Sequence, residues 1–348
     1  MLVNIILSSC YRAPCELVRL KVYTTIFSTT KQHCCVLVLR VLVPVKLQAP
    51  ETFQLCLRVG KAHTLTASNV AIRLKDFLIS VRFDVVGIGT TAFIELPQSI
   101  ETAIEEGWVQ KNRPDGPSEY SSLVLFCPSN DNTVGVLFDD TGYIAGFQTA
   151  LEVTQFTDTI FDWETQGFTY WTTEHGGETK EYWTIHQYYI SAANLATDPA
   201  IRIAARDPER MLQDDFVWVS GFHGKLYPIS TNVTDTIAGN SDFTKQACIP
   251  WMGDHYYYKM TADTECAAGK MLSWFQLVDS DQLIGLGLLT FGKHIVPEGG
   301  RDWFEAPIAD VVKAIVPHGP RCLYDLAGTP GVVTMHSYFI KHPYHLTC

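Results

Sequence analysis

Thr184-Ile185-His186-Gln187-Tyr188-Tyr189-Ile190 and Thr334-Met335-His336-Ser337-Tyr338-Phe339-Ile340 are two versions of one seven-residue string, identical at four positions. With the two-residue period of a strand, Thr, His and the first Tyr share one face. Ile or Met, Gln or Ser, and the second aromatic share the other. Upstream of each copy the match continues. Cys127, Asp140 and Gly146 have the same mutual spacing as Cys266, Asp279 and Gly285, and Asp162-Trp163 precedes the first string as Asp302-Trp303 precedes the second. Matches in one order, with drift confined to loop-like stretches, predict a duplication. The expected units are β repeats at 100–200 and 210–348, joined through Asp198–Arg210.

Working outward, short runs rich in Val, Ile, Thr, Tyr, Phe and Trp alternate with Asp, Asn and Gly clusters that favour tight turns. Val134–Phe138 and Tyr143–Phe147 flank such a cluster, as do Leu272–Val278 and Gln282–Leu286. Helical spacing is scarce; Ile308, Val311, Val312 and Ile315 place a helix in Pro307–Ile315. Two copies are too few for a solenoid or propeller. The expected fold is therefore mainly all-β: two related antiparallel units forming a sandwich or partly closed barrel, with few short helices.

The 348 residues carry a net charge of −11, unevenly spread. Residues 1–82 hold a net +8 and five of the ten cysteines, whereas the remainder holds −19. Such a break predicts a boundary, with 1–82 a basic leader of doubtful structure. The acidic body excludes a phosphate-binding surface and hence nucleic acid as partner. No run of about 18 apolar residues predicts a membrane-spanning helix.

The densest polar-aromatic stretch is Cys248-Ile249-Pro250-Trp251-Met252-Gly253-Asp254-His255-Tyr256-Tyr257-Tyr258. Gly253 permits a tight turn that presents Asp254 and His255 ahead of an aromatic strand. His255 titrates near neutrality and suits acid–base work. Together with His186 and His336 it would supply three imidazoles to a zinc-like site, although no HxH or HExxH spacing supports a metal, and the Cys34-Cys35 pair has no metal-ligand spacing. Val219-Ser220-Gly221 lacks the frame of a nucleophile elbow, and no phosphate-binding glycine loop is present. No cofactor is therefore assigned.

Among the body's five cysteines, the local pairings are Cys248 with Cys266 and Cys322 with Cys348, leaving Cys127 over. Asn232-Val233-Thr234 is a glycosylation frame. Cys248 with Met252-Gly253-Asp254-His255-Tyr256, then Cys266, Leu283-Ile284-Gly285, Cys322, the Thr334-x-His336 strand and Cys348, resembles a group of uncharacterised secreted invertebrate proteins. The resemblance covers about 100–348 and implies an extracellular chain with paired cysteines, without bringing an activity.

The leading expectation is a secreted two-repeat protein that binds a small or extended ligand in an aromatic-lined pocket. Trp251, Asp254, His255, Tyr256, Tyr258 and Trp274 would form that site, with Tyr257, Trp171 and Trp183 adding to the aromatic supply. One alternative is an enzyme using His255 with His186 and His336 for acid–base or metal-assisted chemistry. The other is a structural extracellular protein.

Overall fold

The structure, a computed structural model, describes residues 36–37, 55–56, 80–82, 93–207 and 212–348. The chain divides into two compact units, Met1–Leu74 and Lys75–Cys348. In the first, β1 (Val36–Leu37) pairs antiparallel with β2 (Leu55–Cys56). The expectation for the leader otherwise lies outside the described residues. The structural division falls before the charge break at residue 82, because Ser80–Arg82 is a strand of the second unit.

The second unit is mainly β; among the described residues strands outweigh helix by 39% to 18%. Its strands are β3 (Ser80–Arg82), β4 (Phe93–Glu95), β5 (Trp108–Lys111), β6 (Val124–Pro128), β7 (Val134–Phe138), β8 (Ile144–Glu152) and β9 (Phe156–Thr157). They continue through β10 (Thr169–His175), β11 (Glu178–Tyr188), β12 (Phe216–Ser220), β13 (Leu226–Ser230) and β14 (Phe243–Ile249). β15 (Gly253–Tyr258), β16 (Trp274–Asp279), β17 (Gln282–Phe291), β18 (Lys293–His294) and β19 (Val332–Tyr338) complete the set. One sheet runs β13-β12-β11-β8-β7-β6-β5, with β10 also on β11; the other runs β14-β15-β16-β17-β19-β3-β4. All pairings in both sheets are antiparallel.

The two sheets match strand for strand. Gly146 faces Tyr188 between β8 and β11, and Gly285 faces Tyr338 between β17 and β19. A register shift follows Leu137 in one hairpin and Leu277 in the other. The outermost hairpins are exchanged. β3–β4 docks on β19 of the second sheet, whereas β12–β13 docks on β11 of the first. Even the isolated bridges correspond: Ser99 to Tyr143 after β4, and Asn232 to Gln282 after β13. The correspondence therefore begins at β3 and β12, upstream of the expected start at residue 100.

Register also corrects two sequence pairings. Leu125 and His255 stand opposite the equivalent Leu137 and Leu277, so Cys127 is matched by Tyr257, not by Cys266. The β16–β17 turn is one residue shorter than the β7–β8 turn, so Asp139 rather than Asp140 is the counterpart of Asp279.

The main core lies between the sheets. Phe126, Val136, Phe147 and Ile185 of the first meet Tyr256, Trp274, Leu286 and Met335 of the second. Full burial of each such side chain contributes roughly 1.5–3 kcal/mol. At its centre equivalent positions touch each other, as across a two-fold axis. Gln187 Nε2 donates to Ser337 Oγ at 2.9 Å, Tyr189 meets Phe339 edge-on at 5.5 Å, and β9 pairs with β18. Thr184, His186 and Tyr188 point outward, as the strand period requires.

The outer faces are covered differently. In the first sheet, Tyr120 and Leu123 of the β5–β6 connection pack over part of the face. In the second, helices Ala309–Ile315 and Arg321–Gly328 lie over Tyr257, Phe275 and Leu289. Helical spacing anticipates the first of these; the second buries Leu323 and Ala327, one turn apart.

Disulfides join Cys248 to Cys348 and Cys266 to Cys322, with Cys127 free and buried. The four bonded cysteines are those expected, but the partners are exchanged. Trp251 N donates to Leu346 O at 3.0 Å, which returns the C-terminus to the β14–β15 turn beside Cys248. Nearness in sequence is no guide where strands bring distant segments together. The expected linker 198–210 also contains structure. Pro199–Ala205 is a helix whose buried Arg202 pairs with Asp139 and Asp140. Residues 208–211 lie outside the described residues. No helix among the described residues is long and apolar enough to cross a membrane.

Candidate functional site

On the outer face of the first sheet, β10 and β12 both flank β11. β10 pairs with residues 178–184, and β12 with Gln187 and Tyr188. Where they part, an open groove of about 520 Å³ forms over His186. Thr169 and Ser220 line its floor, with Asp115 and Glu119 on the β5–β6 connection and Lys225 on the β12–β13 turn. The volume falls within the usual range for a small-molecule site.

His186 is buried, and its Nε2 lies 3.0 Å from Gln148 Oε1 on the neighbouring strand. The amide oxygen only accepts, so Nε2 carries the proton and Nδ1 keeps a lone pair. Burial, followed by the positive charge of Arg113, lowers the His186 pKa to about 3. The imidazole is therefore neutral at physiological pH. Ser220 Oγ accepts the His186 backbone N–H at 3.3 Å. Beside the groove, on the same face, Tyr120 and Tyr188 stack at 4.0 Å, and Arg113 donates to the carbonyls of Tyr120 and Leu123. Burial pushes the Tyr188 hydroxyl up to about 12.

The equivalent face of the second sheet holds His336, with Nδ1 3.3 Å from Glu305 Oε1; both residues are buried. The His255 ring stands 5.9 Å from His336, edge to face, and its Nδ1 is 3.1 Å from Gly253 O. The hollow they line is about 20 Å³, room for about one water, beneath Val312, Val316 and Leu323. Burial among apolar side chains makes this a packed polar inclusion rather than an entry site.

The three histidines therefore do not converge. His255 and His336 meet, while His186 lies on the far side of the inter-sheet core, because the sheets pack by their inner faces and outward residues diverge. Among the described residues no group of three or more metal-binding side chains is assembled.

The predicted aromatic site is likewise distributed. Tyr256 and Trp274 fill the inter-sheet core, and Trp274 Nε1 donates to Ser220 O at 2.9 Å, behind the groove. Tyr258 joins Tyr227 and Phe243. Asp254 pairs with Lys245 at 2.8 Å, and Trp251 is exposed at the β14–β15 turn. That turn requires Gly253, whose φ is +86° and whose missing Cβ would meet Val278 O at 2.9 Å. Tyr257 stacks on Phe275, Trp171 packs with Tyr182, and Trp183 lies by Trp163. Strand alternation sends neighbours in sequence to opposite faces, so a dense aromatic run does not make one pocket.

Of the expected residues, His186 alone lines the groove. Asp115, Glu119, Thr169, Ser220 and Lys225 carry no motif; Asp115 and Lys225 fall in the Asp115-Gly116-Pro117 and His223-Gly224-Lys225 turns, and Thr169 and Ser220 stand at the ends of strands β10 and β12. Asn232 is exposed, and its Oδ1 accepts from Thr234 N at 3.0 Å. Comparison with protein-family models, with curated proteins and with solved structures gives no match to this chain.

Proposed function

We propose that this is a ligand-binding β protein whose site is the groove over His186. The observation that carries the reading is the concavity itself: about 520 Å³, open, with hydrogen-bonding groups converging on a neutral imidazole. The aromatic clusters stabilise the sheets around it and do not line it. A titration followed by nuclear magnetic resonance tests this. Shifts grouped at Thr169, His186 and Ser220, and lost in His186→Leu, support the reading. Shifts grouped at Trp251 or Tyr258 would overturn it.

Export from the cell is part of the same proposal. It is supported by two disulfides, which persist in oxidising compartments, by the exposed sequon at Asn232, and by the resemblance to secreted invertebrate proteins. Expression in eukaryotic cells should yield chain in the medium whose mobility rises after deglycosylation, and Asn232→Gln should remove that change. We propose too that the sheets descend from one duplicated unit. It spans roughly residues 80–190 and 216–340, and the exchanged hairpins and common register support it.

A further inference from the structure

Resting on the groove reading, we infer that the ligand is a neutral polyhydroxylated molecule, such as a sugar residue, held by its hydroxyl edge against His186 and Ser220. The hydrogen-bond inventory leads there. With Nε2 engaged by Gln148, His186 offers Nδ1 as an acceptor. Ser220 Oγ accepts from the His186 amide and retains its own proton to donate. Thr169, beside them, carries a hydroxyl able to do either. A hydroxyl on a ligand both donates and accepts, and so satisfies neighbouring acceptor and donor positions that an ammonium or a phosphate would satisfy only in part.

The charges weigh against the ionic alternatives. An anion would gain from the Arg113 field but find no charged donor at the floor, because burial keeps His186 neutral and Arg113 donates to the carbonyls of Tyr120 and Leu123. A cation would face the same Arg113 field that disfavours imidazolium. At the rim, Asp115 and Glu119 oppose Lys225, so neither sign of ligand is favoured throughout. Among the described residues these three rim groups form no ion pair; Glu119 Oε2 accepts from Ser118 Oγ at 3.3 Å, and its carboxylate has further lone pairs for ligand hydroxyls. Charge-assisted bonds from carboxylates and an ammonium to hydroxyls are the stronger class of hydrogen bond.

Saturation-transfer resonance and calorimetry on the full chain test the inference. The probes are the methyl glycosides of glucose, mannose, galactose and N-acetylglucosamine, with putrescine as dication and inorganic phosphate as anion. At least one glycoside is expected to bind. Its affinity should be unchanged between roughly 50 and 500 mM NaCl, because a neutral ligand is not screened. Affinity should fall about tenfold or more in Ser220→Ala, the loss expected when a buried hydrogen-bond partner goes. It should fall likewise in His186→Leu, with Trp251→Ala unaffected and thermal unfolding confirming that each variant folds. Salt-sensitive binding of putrescine or phosphate alone, lost in the same variants, would overturn the ligand class and leave the groove reading standing. Glycoside binding that survives both substitutions would overturn the groove reading. Binding by none of the probes would overturn the ligand class.

Discussion

In the first sheet the strand face carrying His186 opens on a groove, whereas in the second the face carrying His336 lies beneath two helices. The rows through the two histidines show how this came about. His186 is flanked by Gln148 and then Gly135; His336 is flanked by Gly287 and then Phe275. Where the first row provides an amide, the second provides a glycine over which Phe275 lies: a Cβ on Gly287 would fall 1.8 Å from its ring. Phe275 meets His336 at 5.4 Å and Tyr257 at 4.5 Å, making an apolar floor on which helices can pack. Thr169, opposite Thr184, is matched by Glu305, opposite Thr334. One backbone arrangement therefore supports either an open groove or a core, according to a few side chains and the segment that covers them.

That comparison can be broken at several points. The largest effect should come from His336→Leu, which strips a buried carboxylate of its imidazole neighbour. The expected loss is about 3–5 kcal/mol in denaturant unfolding. If His336→Leu costs no more than His186→Leu, the two faces are not energetically distinct. Replacing Cys266 and Cys322 by Ser should cost about 2–4 kcal/mol. It should also speed amide exchange in residues 321–328 while leaving exchange at Ser220 unchanged. Equal acceleration on both faces would deny the second face its separate roof.

His186→Leu should cost less, about 1–2 kcal/mol, because it removes one neutral hydrogen bond and leaves Gln148 Oε1 buried. Its pH dependence is more telling. The folded pKa of His186 is about 3, below the ordinary 6.5, so the unfolded chain binds the extra proton between these values. The stabilisation is complete above about pH 6.5 and declines as pH falls toward about 3, by up to roughly 1.4 kcal/mol per pH unit. Urea unfolding of the native chain and His186→Leu at stepped pH should show the difference shrinking on acidification. A constant difference would mean that the imidazole is already charged. The smallest effect belongs to Trp251→Ala, an exposed turn residue, within about 0.5 kcal/mol of the native chain.

Much of the architecture is legible in the sequence, for an identifiable reason. The seven-residue strings carry the two-residue period and lie at the centre of the molecule, where Gln187 meets Ser337 and Tyr189 meets Phe339. A residue that must pack against its own counterpart is constrained twice, and that leaves a mark in the sequence. The hairpin turns were readable from their Asp and Gly residues for the same local reason. The groove was not. Its walls come from four segments separated by up to about a hundred residues, each supplying ordinary strand-end or turn residues, and nothing local distinguishes Ser220 from any other strand end or Lys225 from any other turn position.

From the chain alone follow the β character, the strand faces, the repeated strings, a helix within Pro307–Ile315 and the identity of the four bonded cysteines, since each depends on periodicity or residue type within a short window. Tertiary structure decided the cysteine partners, the exchange of hairpins between the sheets, the separation of His186 from His255 and His336, and the opening of one histidine face while its twin was roofed. Those outcomes depend on which distant segments meet, and a local pattern of side chains carries no record of that.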